Sequence, residues 1–150
     1  MTLTDISEGM LQVAKHRLKH SGTVCIVQND IHKISFPPCS FTKIVSVSAL
    51  HYHEHAQQVI AKFHQLLKPG GTLVIIDWSR NSWHFKIFDV FMRMFTRSHV
   101  KIYTLEELSE MLRKEGFVIE KSARWSCGLW SLMGVRVRRN IQRVVLSQKR

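Results

Sequence analysis

The chain has 150 residues, 45% of them hydrophobic, with three cysteines and a formal net charge of +11. That size and composition suit one folded domain and exclude a disordered chain. Three scattered cysteines without a C-x-x-C pair exclude a disulfide framework or a cysteine zinc site, no apolar run is long enough for a membrane helix, and no leader-like segment follows Met1, so a reduced, cytoplasmic setting is expected.

The first element is TLTD, a short extended stretch ending in Asp5. Ser7 then supplies an N-cap hydroxyl, Glu8 falls in the first turn, and Met10, Val13, Ala14, Arg17 and Leu18 follow at helical spacing. TVCIVQND, residues 23–30, is a β-branched run that again ends in an acid. Pro37-Pro38 interrupt the next segment, and TKIVSVSAL, residues 42–50, reads as a buried strand. In HEHAQQVIAKFHQLLKPGG, the residues Ala56, Val59, Ile60, Phe63, Leu66 and Leu67 make a one-sided helix. Lys68, Pro69, Gly70 and Gly71 are expected to end it. TLVIIDW is the uninterrupted apolar run of a parallel strand covered on both faces.

A second apolar stripe, from Trp83 through Ile87, Phe88 and Phe91 to Phe95, predicts another helix. YTLEELSEMLRKEGF then carries the capping box Thr104-x-x-Glu107, an apolar face of Leu108, Met111 and Leu112, and Gly116 at its end. FVIEKSA and SLMGVRV, joined by RWSCGLW without a helix, are expected to pair antiparallel. Strand and helix alternate without an internal repeat, which is the pattern of an α/β domain. The expected division is one domain over residues 1–139 and a basic tail over residues 140–150. The stretch RVRRNIQRVVLSQKR holds six basic residues and no acid. It reads as a last strand and a solvated tail; RNA or an acidic surface is the alternative, since basicity alone specifies no partner.

Four blocks in order, TDISEGMLQVAK, QNDIHKISFPPCSFTKIVSVSALHYH, FHQLLKPGGTLVIIDWSR and YTLEELSEMLRKEGF, resemble the class I S-adenosylmethionine-dependent methyltransferases. The likeness is to the small-molecule group that includes quinone-biosynthesis methyltransferases. It implies a Rossmann-like sheet, mostly parallel with a C-terminal antiparallel hairpin, S-adenosylmethionine as cofactor and a small-molecule methyl acceptor. The resemblance begins at the family's second strand; the first strand and its G-x-G-x-G loop have no counterpart in these residues. A truncated or impaired methyltransferase is therefore expected, with weak cofactor binding and self-association through apolar edges. A nonenzymatic remnant, or a basic RNA-binding module on the same scaffold, is the alternative.

By that resemblance, Asp5 takes the ribose hydroxyls and Ile6 lies against adenine. Asp30 accepts the adenine amino group, Ile31 offers its backbone N–H, and the main chain of Ser46 and Val47 meets the methionine end. Read locally, Asp5 is equally a helix N-terminal acid and Asp30 a turn residue. His51, His53 and His55 alternate in HYHEH, but they span a strand end and a helix start, where that period breaks, so no metal is expected. The resemblance implies that His51, which follows Ala49-Leu50, lines the substrate pocket, and a base role suits it, since imidazole changes charge near neutral pH. Trp78, Trp83, Trp125 and Trp130 read chiefly as core or packing anchors, with an aromatic wall for a flat substrate as the alternative. Residues 79–101 are expected to line the acceptor pocket.

Overall fold

The computed structural model describes residues 1–80, 101–127 and 130–141. It divides into two compact units, Met1–Ser35 and Phe36–Arg150.

In the first unit, β1 (Thr2–Asp5) and β2 (Cys25–Gln28) pair in parallel, Asp5 opposite Gln28. Between them runs α1 (Glu8–Leu18), which packs on both strands and buries Leu11. Ser7 caps it as the sequence predicts, its hydroxyl accepting from Met10 N at 3.3 Å.

The second unit holds β3 (Phe41–Val47), a 3-10 turn at Leu50–Tyr52, α2 (Ala56–Leu66), β4 (Leu67–Trp78), α3 (Leu105–Lys114), β5 (Phe117–Cys127) and β6 (Trp130–Arg139). The sheet order is β3-β4-β6-β5. The β3–β4 pair is parallel, and β6 runs antiparallel to both β4 and β5. This is the mixed Rossmann-like arrangement the resemblance implies. The core lies on one sheet face: Leu73, Ile75, Val135 and Val137 meet Ile60 and Phe63 of α2 and Leu108 and Leu112 of α3. Each such apolar side chain contributes about 1.5–3 kcal/mol by leaving water. The capping box of α3 forms in full, and Gly116 follows at φ +85, where a side chain would be strained.

Three sequence expectations need correction. First, α2 ends at Leu66, and the LKPGG stretch already belongs to β4, because Leu67 pairs with Phe41. Secondly, the hairpin strands run through most of RWSCGLW, with Trp125 opposite Leu132 and Cys127 opposite Trp130. Thirdly, Trp125 is no core anchor. It is 53% exposed, its ring laid across the backbone of Gly134. The helix expected over Trp83–Phe95, the side chain of Trp130 and residues 142–150 of the basic tail lie outside the described residues.

Candidate functional site

In the first unit, parallel pairing brings both strand ends to one edge, the place where α/β sheets hold ligands. Asn29 N donates to Asp5 O at 3.1 Å, and Gln28 Nε2 donates to Ile6 O at 3.1 Å, so the two ends are tied together. Asp5 Oδ1 accepts from Ser7 N at 2.9 Å, and Asp30 Oδ1 accepts from His32 N at 2.9 Å. β2 stops at Gln28, so Asp30 stands in the turn beyond it rather than in the strand. Both acids therefore do the local turn work that short-range reasoning allowed. In each, only Oδ1 is engaged among the described residues, leaving an acceptor oxygen at the shared edge. Ile6 is 68% exposed directly after Asp5, and Ile31 follows Asp30, half-buried.

In the second unit, the site grows from the end of β3. Ser46 faces the covered side of the sheet and is buried, while Val47 points to the opposite face and pairs with Ile76. Ser48 adopts φ 48, unusual for a residue with a side chain, and donates to Ile76 O at 2.8 Å. That reversal throws the Leu50–Tyr52 turn across the end of β4. There Asp77, 2% exposed, receives it: Oδ2 accepts from Leu50 N at 2.9 Å, and Oδ1 lies 2.6 Å from His51 Nδ1. Trp78 N also donates to Asp77 Oδ1 at 2.8 Å. A buried carboxylate survives only when it is this fully paired. The contact between the carboxylate and Nδ1 is the arrangement in which an acid orients a histidine ring.

The surroundings of His51 are fixed from the other side of the chain. Lys101 N donates to His51 O at 3.2 Å, and Arg80 N donates to Tyr103 O at 3.1 Å. Lys101 is thus tied to the backbone of His51, and Arg80 to that of Tyr103. Most of the segment expected to line the acceptor pocket, residues 79–101, is outside the described residues. His53 is half-buried and His55 exposed ahead of α2, so the alternation of HYHEH does not gather three imidazoles on one face. Asp77 is the residue that sequence reasoning passed over. Its signal was present: a lone acid inside the otherwise apolar run from Leu73 to Trp78.

Asp5, Ile6, Asp30 and Ile31 are gathered in the first unit, and Ser46, Val47 and His51 follow one another at the end of β3 in the second. No helix among the described residues is long and apolar enough to cross a membrane.

The family model described as a methyltransferase domain matches residues 1–75. Ubiquinone/menaquinone biosynthesis C-methyltransferase UbiE of Pseudomonas fluorescens (strain Pf0-1) is 31% identical over 109 residues, covering 69% of this chain and 43% of that protein. The same enzyme of Bordetella avium (strain 197N) is 33% identical over 79 residues, covering 52% and 31%. The chain thus spans less than half the length of these relatives. A SAM-dependent methyltransferase from Methanosarcina mazei superposes with a TM-score of 0.76 at 15% identity, over 93% of this chain and 82% of that one. The cyclase SpnF superposes with 0.73 at 14% identity, over 93% and 66%. At such identities the likeness shows the fold, and SpnF shows that the fold alone does not set the reaction. Family match and fold together place the chain among the class I S-adenosylmethionine-dependent methyltransferases, in the quinone-biosynthesis-like group.

Proposed function

We propose that the chain takes part in methyl transfer from S-adenosylmethionine to a small-molecule acceptor, with an activated ring position of a quinone-type precursor as the acceptor class that its relatives' names suggest. The observation that carries this reading is the Asp77–His51 pair, a buried acid that orients an imidazole at the carboxyl end of β4. The acids at the β1–β2 edge fit the nucleoside. A ribose diol and an exocyclic amine are donors, and Asp5 and Asp30 each keep an acceptor oxygen there. The exposed Ile6 side chain offers an apolar surface to a flat ring.

When bound, S-adenosylmethionine supplies an electrophilic methyl group on a good leaving group. The protein's share is alignment, exclusion of water and removal of a proton. His51 takes that proton at Nε2, and Asp77 stabilises the imidazolium that results. Backbone groups of Ser46 and Val47 serve the amino-acid end of the cofactor.

Titration calorimetry with S-adenosylmethionine tests this. Binding that falls at least tenfold in both Asp5→Ala and Asp30→Ala is the expected outcome. Equal affinity in all three proteins, or no heat at about 10 mM ligand, overturns the assignment. The same result would favour a nonenzymatic remnant.

A further inference from the structure

At the end of the β1–β2 ladder the strands stay joined by a side chain. Asp5 and Gln28 are partners in register, and Asn29 N donates to Asp5 O at 3.1 Å. β2 ends at Gln28, and the next carbonyl after β1 is met by the Gln28 side chain, whose Nε2 donates to Ile6 O at 3.1 Å. A carbonyl oxygen only accepts, so the amide presents its nitrogen there.

The carbonyl of Ile6 and the N–H of Ser7 belong to one peptide unit, which is planar and trans. Its two ends cannot turn independently. Gln28 holds the carbonyl end, and the N–H end donates to Asp5 Oδ1 at 2.9 Å. The Asp5 carboxylate is therefore oriented from β2 through a single rigid plane. The peptide on the other side of Ile6 is held as well, by Asn29 N at the Asp5 carbonyl. With both flanking planes fixed, the backbone angles of Ile6 are set, and with them the direction of its side chain. If the Ser7 N–H were free to turn, Asp5 would lose the contact that selects its rotamer.

We propose that Gln28 is a positioning residue for the nucleoside end of the site. Acting through the Ile6–Ser7 peptide rather than on the ligand, it holds the Asp5 carboxylate in the orientation that receives the ribose diol. This role rests on the reading of Asp5 as the ribose ligand, and every group it uses lies in the first unit.

Adenosine, and dideoxyadenosine lacking the ribose diol, are titrated into the full chain and followed by backbone amide shifts. The parent should prefer adenosine at least tenfold, because only its diol can donate to Asp5. Gln28→Met keeps the length of the side chain and removes the donor. It should cut that preference at least threefold while dideoxyadenosine binds within twofold of the parent. Gln28→Glu, of equal length but an acceptor, should cut it as far or further. In the Asp5→Ala background Gln28→Met should change nothing more, the coupling expected of a residue that acts through Asp5. Circular dichroism checks that each variant keeps its fold. If the parent prefers adenosine and Gln28→Met keeps that preference, the role of Gln28 is overturned and the ribose reading stands. Equal loss for both nucleosides in Gln28→Met marks a structural residue and overturns the proposal as well. Equal binding of the two nucleosides by the parent, or no shifts with either, overturns both.

Discussion

Asp77 Oδ1 lies 2.6 Å from His51 Nδ1 although 26 residues separate them in sequence, and both side chains are buried. The same carboxylate accepts from the backbone N–H groups of Leu50 and Trp78, so one acid holds the turn after β3 against the end of β4.

Asp77→Ala should therefore destabilise the protein strongly, because three donors lose their acceptor at once. Breaking a buried pair of this kind costs about 3–5 kcal/mol, which is about a 10 °C fall in the thermal midpoint for a chain of this size. Asp77→Asn keeps one acceptor oxygen and should lose about half as much. Thermal unfolding followed by circular dichroism reads both. A fall of only a degree or two in Asp77→Ala would show that the pair does not anchor the turn.

Glu107 has two tasks that can be separated. Its Oε2 accepts from Thr104 N at 2.8 Å to close the capping box, and its Oε1 accepts from Arg80 Nη2 at 2.9 Å. Thr104→Ala should cost about 1 kcal/mol, the usual worth of a cap. Glu107→Ala should cost more than that, because the Arg80 pair goes with the cap, though half-exposed ion pairs add only up to about 1 kcal/mol. Urea denaturation of the two variants gives the order, and a larger loss in Thr104→Ala would contradict it.

Two glycines of β4 and β6 sit in close contacts of different kinds. A Cβ at Gly71 would meet the carbonyl oxygens of Lys68 at 2.8 Å and Thr42 at 3.1 Å, which are backbone and cannot yield. A Cβ at Gly134 would press on the exposed Trp125 ring, with the Ile75 carbonyl oxygen at an ordinary 3.9 Å. Gly71→Ala should destabilise by about 2–3 kcal/mol and Gly134→Ala by less than half of that. Gly134→Ala should also shift tryptophan emission as the ring swings off the sheet, and Trp125→Ala should remove its cost. Equal destabilisation by the two alanines would contradict this reading of the contacts.

What was legible in the sequence follows the range of the interactions. Ser7 and the Thr104–Glu107 box could be read directly, because each joins groups three residues apart. The strand ends at Asp5 and near Asp30 were legible as well, since an apolar run that meets an acid and then a turn signal marks where a strand stops. The Asp77–His51 bond was not, because its partners come from different strand ends and only the parallel β3–β4 register joins them. The end of α2 was misjudged for a related reason. Local chemistry put the stop at Pro69 and Gly70, but pairing of Leu67 with Phe41 draws the chain into β4 before the proline is reached. Trp125 was misread because residue type alone suggests burial, whereas position opposite Leu132 places it on the face opposite the core.

The central claim is that this chain holds S-adenosylmethionine at the carboxyl ends of its strands, and backbone amide spectra of the isotopically labelled protein test it most directly. Titration with the cofactor should shift the amides of Asp5, Ile6, Asp30 and Ile31 in the first unit and those of Ser46, Val47 and His51 in the second. The shifts should be present by about 10 mM cofactor, and those at Asp5 and Ile6 should vanish in Asp5→Ala. Shifts confined to other residues, or no shifts at all at that concentration, would contradict it.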